Sequence, residues 1–133
     1  CFEPNPNFRE CFEKNIQEKN VLLWPYGLSD KEHKAKQDFN STVLQQEDGD
    51  IDCRTLDSFG LTNVDFVKID VDGFEVPLLN GATETLTKNN PVINIEMKRD
   101  KRPGIVAKCE SILQDLGYKF ENRTKSDEVW LKS

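Results

Sequence analysis

A chain of 133 residues has the length of one domain, and two independent domains are excluded. Its 24 acidic against 18 basic residues leave a formal charge of −6, which repels phosphate backbones and rules out nucleic acid as the default partner. No run approaches the ~18 apolar residues that span a bilayer, and no basic start with an apolar stretch reads as a leader, so no membrane partner is expected. The cysteines Cys1, Cys11, Cys53 and Cys109 form no CxxC pair, and His33 is the lone imidazole, which argues against a zinc site. Cys11 and Cys109 fall on apolar faces of predicted helices and read as buried free thiols of a reducing, cytoplasmic setting. The sequons at Asn40 and Asn122 carry little weight without a secretory context.

The elements follow from period and breakers. Residues 8–19 place Phe8, Cys11, Phe12 and Ile16 on one stripe of a charged helix, capped by Asn5 or Asn7 with Pro6 in its first turn. Residues 21–28 are a short apolar run that suits a strand. Residues 33–56 are mostly polar and predict two short strands joined by a loop at 45–50, within an insertion at about 31–59. Residues 64–71, Val-Asp-Phe-Val-Lys-Ile-Asp-Val, carry the strongest strand signal, of the kind buried on both faces in a parallel sheet. A helix over 75–88 follows, stopped by Asn89-Asn90-Pro91. Residues 91–97 are a buried strand, and 104–116 a helix with Gly117 as its C′ residue. The chain closes with an antiparallel pair, 118–121 and 128–131. Strands alternating with helices predict an open α/β sheet, whose ligands sit at the carboxyl ends of the strands.

Four such ends carry chemistry. Phe2 is expected to end a strand whose body would precede it, and Glu3, followed by Pro4 and Asn5, reads equally as a solvated turn residue or as an acceptor of two ribose hydroxyl hydrogen bonds. At Gly27-Leu28-Ser29-Asp30 the glycine admits a ligand ring while Ser29 and Asp30 offer polar groups. At Asp70-Val71-Asp72-Gly73-Phe74-Glu75 three carboxylates crowd one strand end. A carboxylate at such a mouth can hold a raised pKa and act as a base, hold a cation, or orient an amino group. Glu75 also reads as a favourable charge in a helix's first turn. Glu96 ends the next strand and faces the same cleft as Asp70 if the two strands are neighbours, a spacing that permits a divalent metal without indicating one. His33 lies in a charged stretch and reads as solvated. The basic run Lys98-Arg99-Asp100-Lys101-Arg102 reads first as a solvated loop, and, because it follows a strand end, it could also attract an anionic substrate.

In this order, the stretches resemble the FkbM-like family of S-adenosylmethionine-dependent methyltransferases. The matching residues are Phe2–Pro6, Asn20-Val21, Gly27–Asp30, Thr55-Leu56-Asp57, Val64–Glu75, Leu79–Ala82 and Pro91–Glu96. The run from Lys68 to Glu75 is the specific part, and Asp72 stands where the family usually has Glu. The resemblance implies a class I methyltransferase (Rossmann-like) fold with an open, mostly parallel sheet and an antiparallel C-terminal strand. It implies transfer of a methyl group from S-adenosylmethionine to a hydroxyl of a sugar or small metabolite. By it, Glu3, Pro4 and Asn5 would serve the ribose side of the cofactor, and Leu28, Ser29 and Asp30 the adenine. Asp70 would lie beside the methionine end and the acceptor, with Asp70 and Glu75 as the catalytic carboxylates and no metal.

The family's first βα unit, with its Gly-rich loop, would precede Phe2. The chain is therefore expected to be a single partial domain over 1–133, binding the cofactor weakly by itself. Two rival readings remain. One is a non-catalytic module whose missing strand comes from another chain, such as a second copy. The other is a fragment of an NAD-dependent oxidoreductase, which the run from Lys68 to Glu75 fits poorly.

Overall fold

The computed structural model describes residues 1–37, 44–45 and 49–132. In chain order the elements are α1 (Pro6–Asn15), β1 (Gly27–Leu28), β2 (His33–Gln37), β3 (Leu44–Gln45), β4 (Ile51–Arg54), a 3-10 turn (Asp57–Phe59), β5 (Phe66–Ile69), α2 (Glu75–Asn80), α3 (Thr83–Asn89), β6 (Val92–Glu96), α4 (Pro103–Asp115), β7 (Lys119–Thr124) and β8 (Asp127–Leu131).

The strands do not form one mostly parallel sheet. They divide into two mixed four-stranded sheets, ordered β1-β4-β2-β3 and β5-β6-β8-β7. Each contains one parallel pair, β1 with β4 and β5 with β6, and the remaining pairs are antiparallel. Two local reasons account for this. The polar segment after β1 returns as the antiparallel β2–β4 pair, and the C-terminal hairpin adds β8 antiparallel to β6. Phe2 adds an isolated parallel bridge to Trp24, on which its ring stacks at 4.9 Å. Part of the predicted 45–50 loop lies outside the described residues.

The core lies between the second sheet and the helices. Ile69, Ile93, Ile95 and Trp130 from the strands meet Leu78, Leu79, Leu86, Val106, Cys109 and Leu113 from the helices. One face of β5 is buried rather than both: Ile69 is inside, whereas Phe66 is 58% exposed. The reason is position, because β5 is the edge of its sheet and, among the described residues, pairs in a ladder with β6 alone.

The helix expected over 75–88 is split into α2 and α3 at Gly81-Ala82. A Cβ on Gly81 would lie 1.9 Å from the Ser29 carbonyl oxygen, so only glycine lets the two segments touch. Asp57 then caps the second piece, accepting from the backbone N–H groups of Glu84 and Thr85 at 3.0 and 2.7 Å. Asn90 in the left-handed region ends α3, and Gly117 follows α4 at φ 86°, both at predicted stops.

Helix α1 begins as its sequence predicts, with Asn5 accepting from the Asn7 N–H at 2.9 Å and Pro6 in the first turn. It ends at Asn15, short of residue 19, and none of its residues is buried. Cys11 is exposed, which corrects its reading as a buried thiol, whereas Cys109 is fully buried. The same apolar spacing gives opposite outcomes because α4 packs against α2, while the stripe of α1 leaves Phe8 51% exposed.

Candidate active site

Parallel register builds the centre of the site. Ile69 of β5 lies opposite Ile95 of β6, and both side chains enter the core. Side chains alternate along a strand, so the next residues, Asp70 and Glu96, emerge together on the opposite face. Their carboxyl groups lie close enough for each to influence the other's protonation. Partial burial and the charge of Glu96 raise the pKa of Asp70 above the usual carboxylate value, against the pull of Lys68. Lys98 holds Glu96 the other way, donating to it at 2.9 Å and lowering its pKa. Asp70 is thus the member of the pair that protonates more readily. Lys98 also pairs with Asp72, and the Ser126 hydroxyl lies 3.2 Å from Glu96 Oε1. Two carboxylates of opposite tendency thus sit side by side at the mouth of the parallel pair.

The loop after Asp70 is shaped by Glu75. Its carboxylate is buried, and Oε1 accepts from the Gly73 N–H at 2.8 Å. Asp72 and Gly73 both take positive φ, 48° and 104°. The φ of Gly73 favours glycine, and a Cβ there would come within 2.7 Å of the Arg102 guanidinium, which would have to shift. Glu75 Oε2 and Arg102 Nη1 are both buried without a hydrogen-bond partner among the described residues, and the two residues line one cavity the size of a single water.

Two adjoining cavities open beside Asp70. The larger, about 440 Å³, is lined by Phe2, Pro4, Tyr26, Leu28, Asp70 and Leu78, among others. The smaller, about 130 Å³, is lined by Phe2, Glu3, Pro4, Phe8, Asp70, Val71 and Asp72. Glu3, Pro4, Leu28 and Asp70, scattered in sequence, are brought together. Asn5, Ser29 and Asp30 line neither cavity. Asn5 is buried as the cap of α1. Ser29 is completely buried, with its hydroxyl on Asp30 at 3.0 Å, and Asp30 is exposed. His33 is half-buried in β2 and lines neither.

Several contributors were not legible in the sequence. Arg9 reaches back from α1 and donates to the Glu3 and Pro4 carbonyls at 3.2 and 2.5 Å, clamping the turn that carries Glu3. Lys98 and Ser126 set the charge of Glu96 from separate loops. The basic run after β6 signals Lys98, but nothing in the local pattern signals Ser126.

The residues fit a nucleoside-bearing cofactor. Glu3 Oε1 is occupied by the Asn5 N–H, and Oε2 has no partner among the described residues, so it is open to hydroxyl donors. Phe2, Leu28 and Leu78 supply apolar walls. Among the described residues, no group of three or more His, Cys, Asp or Glu side chains gathers as metal ligands, and no helix is long and apolar enough to cross a membrane.

The protein is thus an α/β protein with mixed sheets, and its paired carboxylates and cavities lie at the carboxyl ends of parallel strands, the place where open α/β sheets ordinarily carry ligands. The family described as Methyltransferase FkbM domain matches residues 1–120, and the chain belongs to that family. The crystal structure of Methyltransferase FkbM from Methylobacillus flagellatus KT is similar in fold, with a TM-score of 0.63 at 17% identity. The match covers 98% of this chain and 35% of that one, so the chain spans about a third of that protein's length. No curated protein matches the chain.

Proposed function

We propose that the chain forms the core of an S-adenosylmethionine-dependent O-methyltransferase, acting on a hydroxyl of a sugar or small metabolite, with Asp70 as the base. The observation that carries this reading is the Asp70–Glu96–Lys98 arrangement beside the cavities lined by Glu3 and Leu28. Membership of the methyltransferase family supports the reaction class.

The cofactor, when bound, supplies an electrophilic methyl group, so the protein has to align a nucleophilic oxygen and remove its proton. Asp70 is suited to the second task. An ionised carboxylate of raised pKa is a better proton acceptor than an ordinary one. Glu96 keeps Asp70 basic, and Lys98 keeps Glu96 ionised. Glu3 is assigned to the ribose hydroxyls, and Pro4 and Leu28 to the walls around the cofactor. Asn5 serves by capping α1, and buried Ser29 with Asp30 by supporting the β1 end. Glu75 is assigned a positioning role, because its carboxylate holds the turn that presents Asp72.

The test is methyl transfer by the intact protein as a function of pH. A working base must be ionised, so the rate rises with pH through the pKa of Asp70, which lies above the usual carboxylate range. Asp70→Asn lowers kcat about 10²–10⁴-fold with little change in cofactor affinity. Turnover close to wild type in that variant removes Asp70 from the chemistry.

A further inference from the structure

The site has a second, unassigned neighbour. A cleft of about 600 Å³ lies between the loop after β6 and the β7–β8 turn, lined by Met97, Lys98, Arg99, Asp100, Lys101, Arg123, Lys125 and Ser126. Five of the chain's 18 lysines and arginines line it, in a protein whose net charge is −6. Two of the five are neutralised: Lys98 by Asp72 and Glu96, and Arg99 by Glu110 and Glu128. Arg123 stands 3.8 Å from Glu128, whose nearer partner is Arg99 at 2.6 Å. Lys101 and Lys125 make no ion pair among the described residues. Asp100 offsets one charge, and Lys98 and Arg99 each face two carboxylates, so the cations and their carboxylates balance overall while the ammonium groups of Lys101 and Lys125 stay outside any ion pair among the described residues.

Backbone geometry points the same way. Lys125 is the first residue of a two-residue hairpin turn and takes φ 58°, where glycine, asparagine or aspartate ordinarily sits. A lysine is a poor choice for that turn and a good one for an anion. The two walls are joined by the Met97 N–H donating to the Ser126 carbonyl at 2.7 Å, so Lys101 and Lys125 project from a connected frame. Ser126 and Lys98, which line the cleft, are also the groups that contact Glu96 beside Asp70. The cleft thus neighbours the proposed reaction centre: it shares no lining residue with the cavities beside Asp70, but two of its side chains contact Glu96.

We infer that this cleft binds an anionic group of the methyl acceptor, a phosphate monoester carried on the small hydroxylated molecule, through Lys101, Lys125 and Arg123. This rests on the methyltransferase reading for the identity of the ligand, but not for the binding of the anion. A dianion matches the two unpaired ammonium groups, and the planar guanidinium of Arg123 suits two oxygens of one phosphate. The net charge of the protein disfavours a polyanion, so a small molecule is the occupant.

The experiment measures binding by calorimetry on the intact protein, with glucose 6-phosphate and glucose as probes and inorganic phosphate as a third. The variant is Lys101→Glu with Lys125→Asn; asparagine suits the turn, so folding is retained. Glucose 6-phosphate and inorganic phosphate bind saturably, and glucose binds at least tenfold more weakly. The double variant loses at least tenfold in affinity for both phosphate-bearing probes, with no loss of thermal stability. Equal binding of sugar and sugar phosphate, or unchanged phosphate binding in the variant, overturns the inference. So does a single-stranded oligonucleotide that displaces the sugar phosphate and binds more tightly. Phosphate binding with methyl transfer only to unphosphorylated acceptors leaves the methyltransferase reading standing and overturns the inference; phosphate binding with no methyl transfer to either kind of acceptor counts against the methyltransferase reading instead. Methyl transfer that is indifferent to the double variant refutes the acceptor role of the cleft alone.

Discussion

At Asp70 the fold holds a carboxylate beside another at a cost to stability when both are ionised. Its folded pKa is raised, so the native state holds that proton more tightly than the unfolded chain does. This contribution is fully present below the unfolded carboxylate pKa and is lost as pH rises through the folded value. Above it, two adjacent carboxylates repel each other. Asp70→Asn removes the repulsion. The variant is therefore expected to be more thermostable than wild type at pH 8, with the gap shrinking at pH 4. Thermal melts at both values check this, and a gap independent of pH contradicts the raised pKa of Asp70. The carboxylates at 70–75 were legible as candidates from composition at a strand end. That Glu75 turns inward to hold Gly73 was not, because its neighbours in sequence say nothing about the depth of the α2 N-terminus.

At the scale of elements, the break between α2 and α3 is the informative feature. Periodicity over 75–88 supports one helix, since local spacing cannot register a contact from elsewhere in the chain. The contact comes from Ser29, lodged against Gly81, and from Asp57, which caps α3. Asp57→Ala strands two backbone donors and is expected to cost about 1–2 kcal/mol, a fall in Tm of about 3–6 °C. Asp57→Asn, which keeps an acceptor, is expected to recover part of that. An unchanged Tm in Asp57→Ala places the cap outside the stability of the fold. The aromatic cluster is a similar case: Phe2, Trp24 and Phe59 come from three separate segments and meet with ring centroids 4.9–5.4 Å apart.

Across the whole molecule, burial separates groups that the sequence treats alike. Cys1 and Cys11 are exposed, whereas Cys53 and Cys109 are buried, with burial pushing their thiols up to about 11 and about 12. Native protein at pH 7.5 is expected to react with maleimide at two cysteines, and at all four once unfolded. Rapid native labelling of Cys109 would contradict the packing of α4. Glu128 is buried beneath the same helix and held by Arg99 at 2.6 Å, an ion pair assembled from β8 and the loop after β6.

The sequence by itself determined the order of strands and helices, the stops at Asn90 and Gly117, and the family resemblance carried by Lys68–Glu75. These depend on spacing and local backbone preference, which neighbouring residues encode. It also marked Glu3, Leu28 and Asp70, which the fold gathers around common cavities. Only the tertiary structure decided that the strands divide into two mixed sheets, that β5 buries a single face, and that Ser29 is covered while Lys101 and Lys125 face an open cleft. Those outcomes depend on which distant segment supplies the partner. The register of β5 against β6 is of the same kind: it places Asp70 beside Glu96, so that the charge on each is set by residues far from it in the chain.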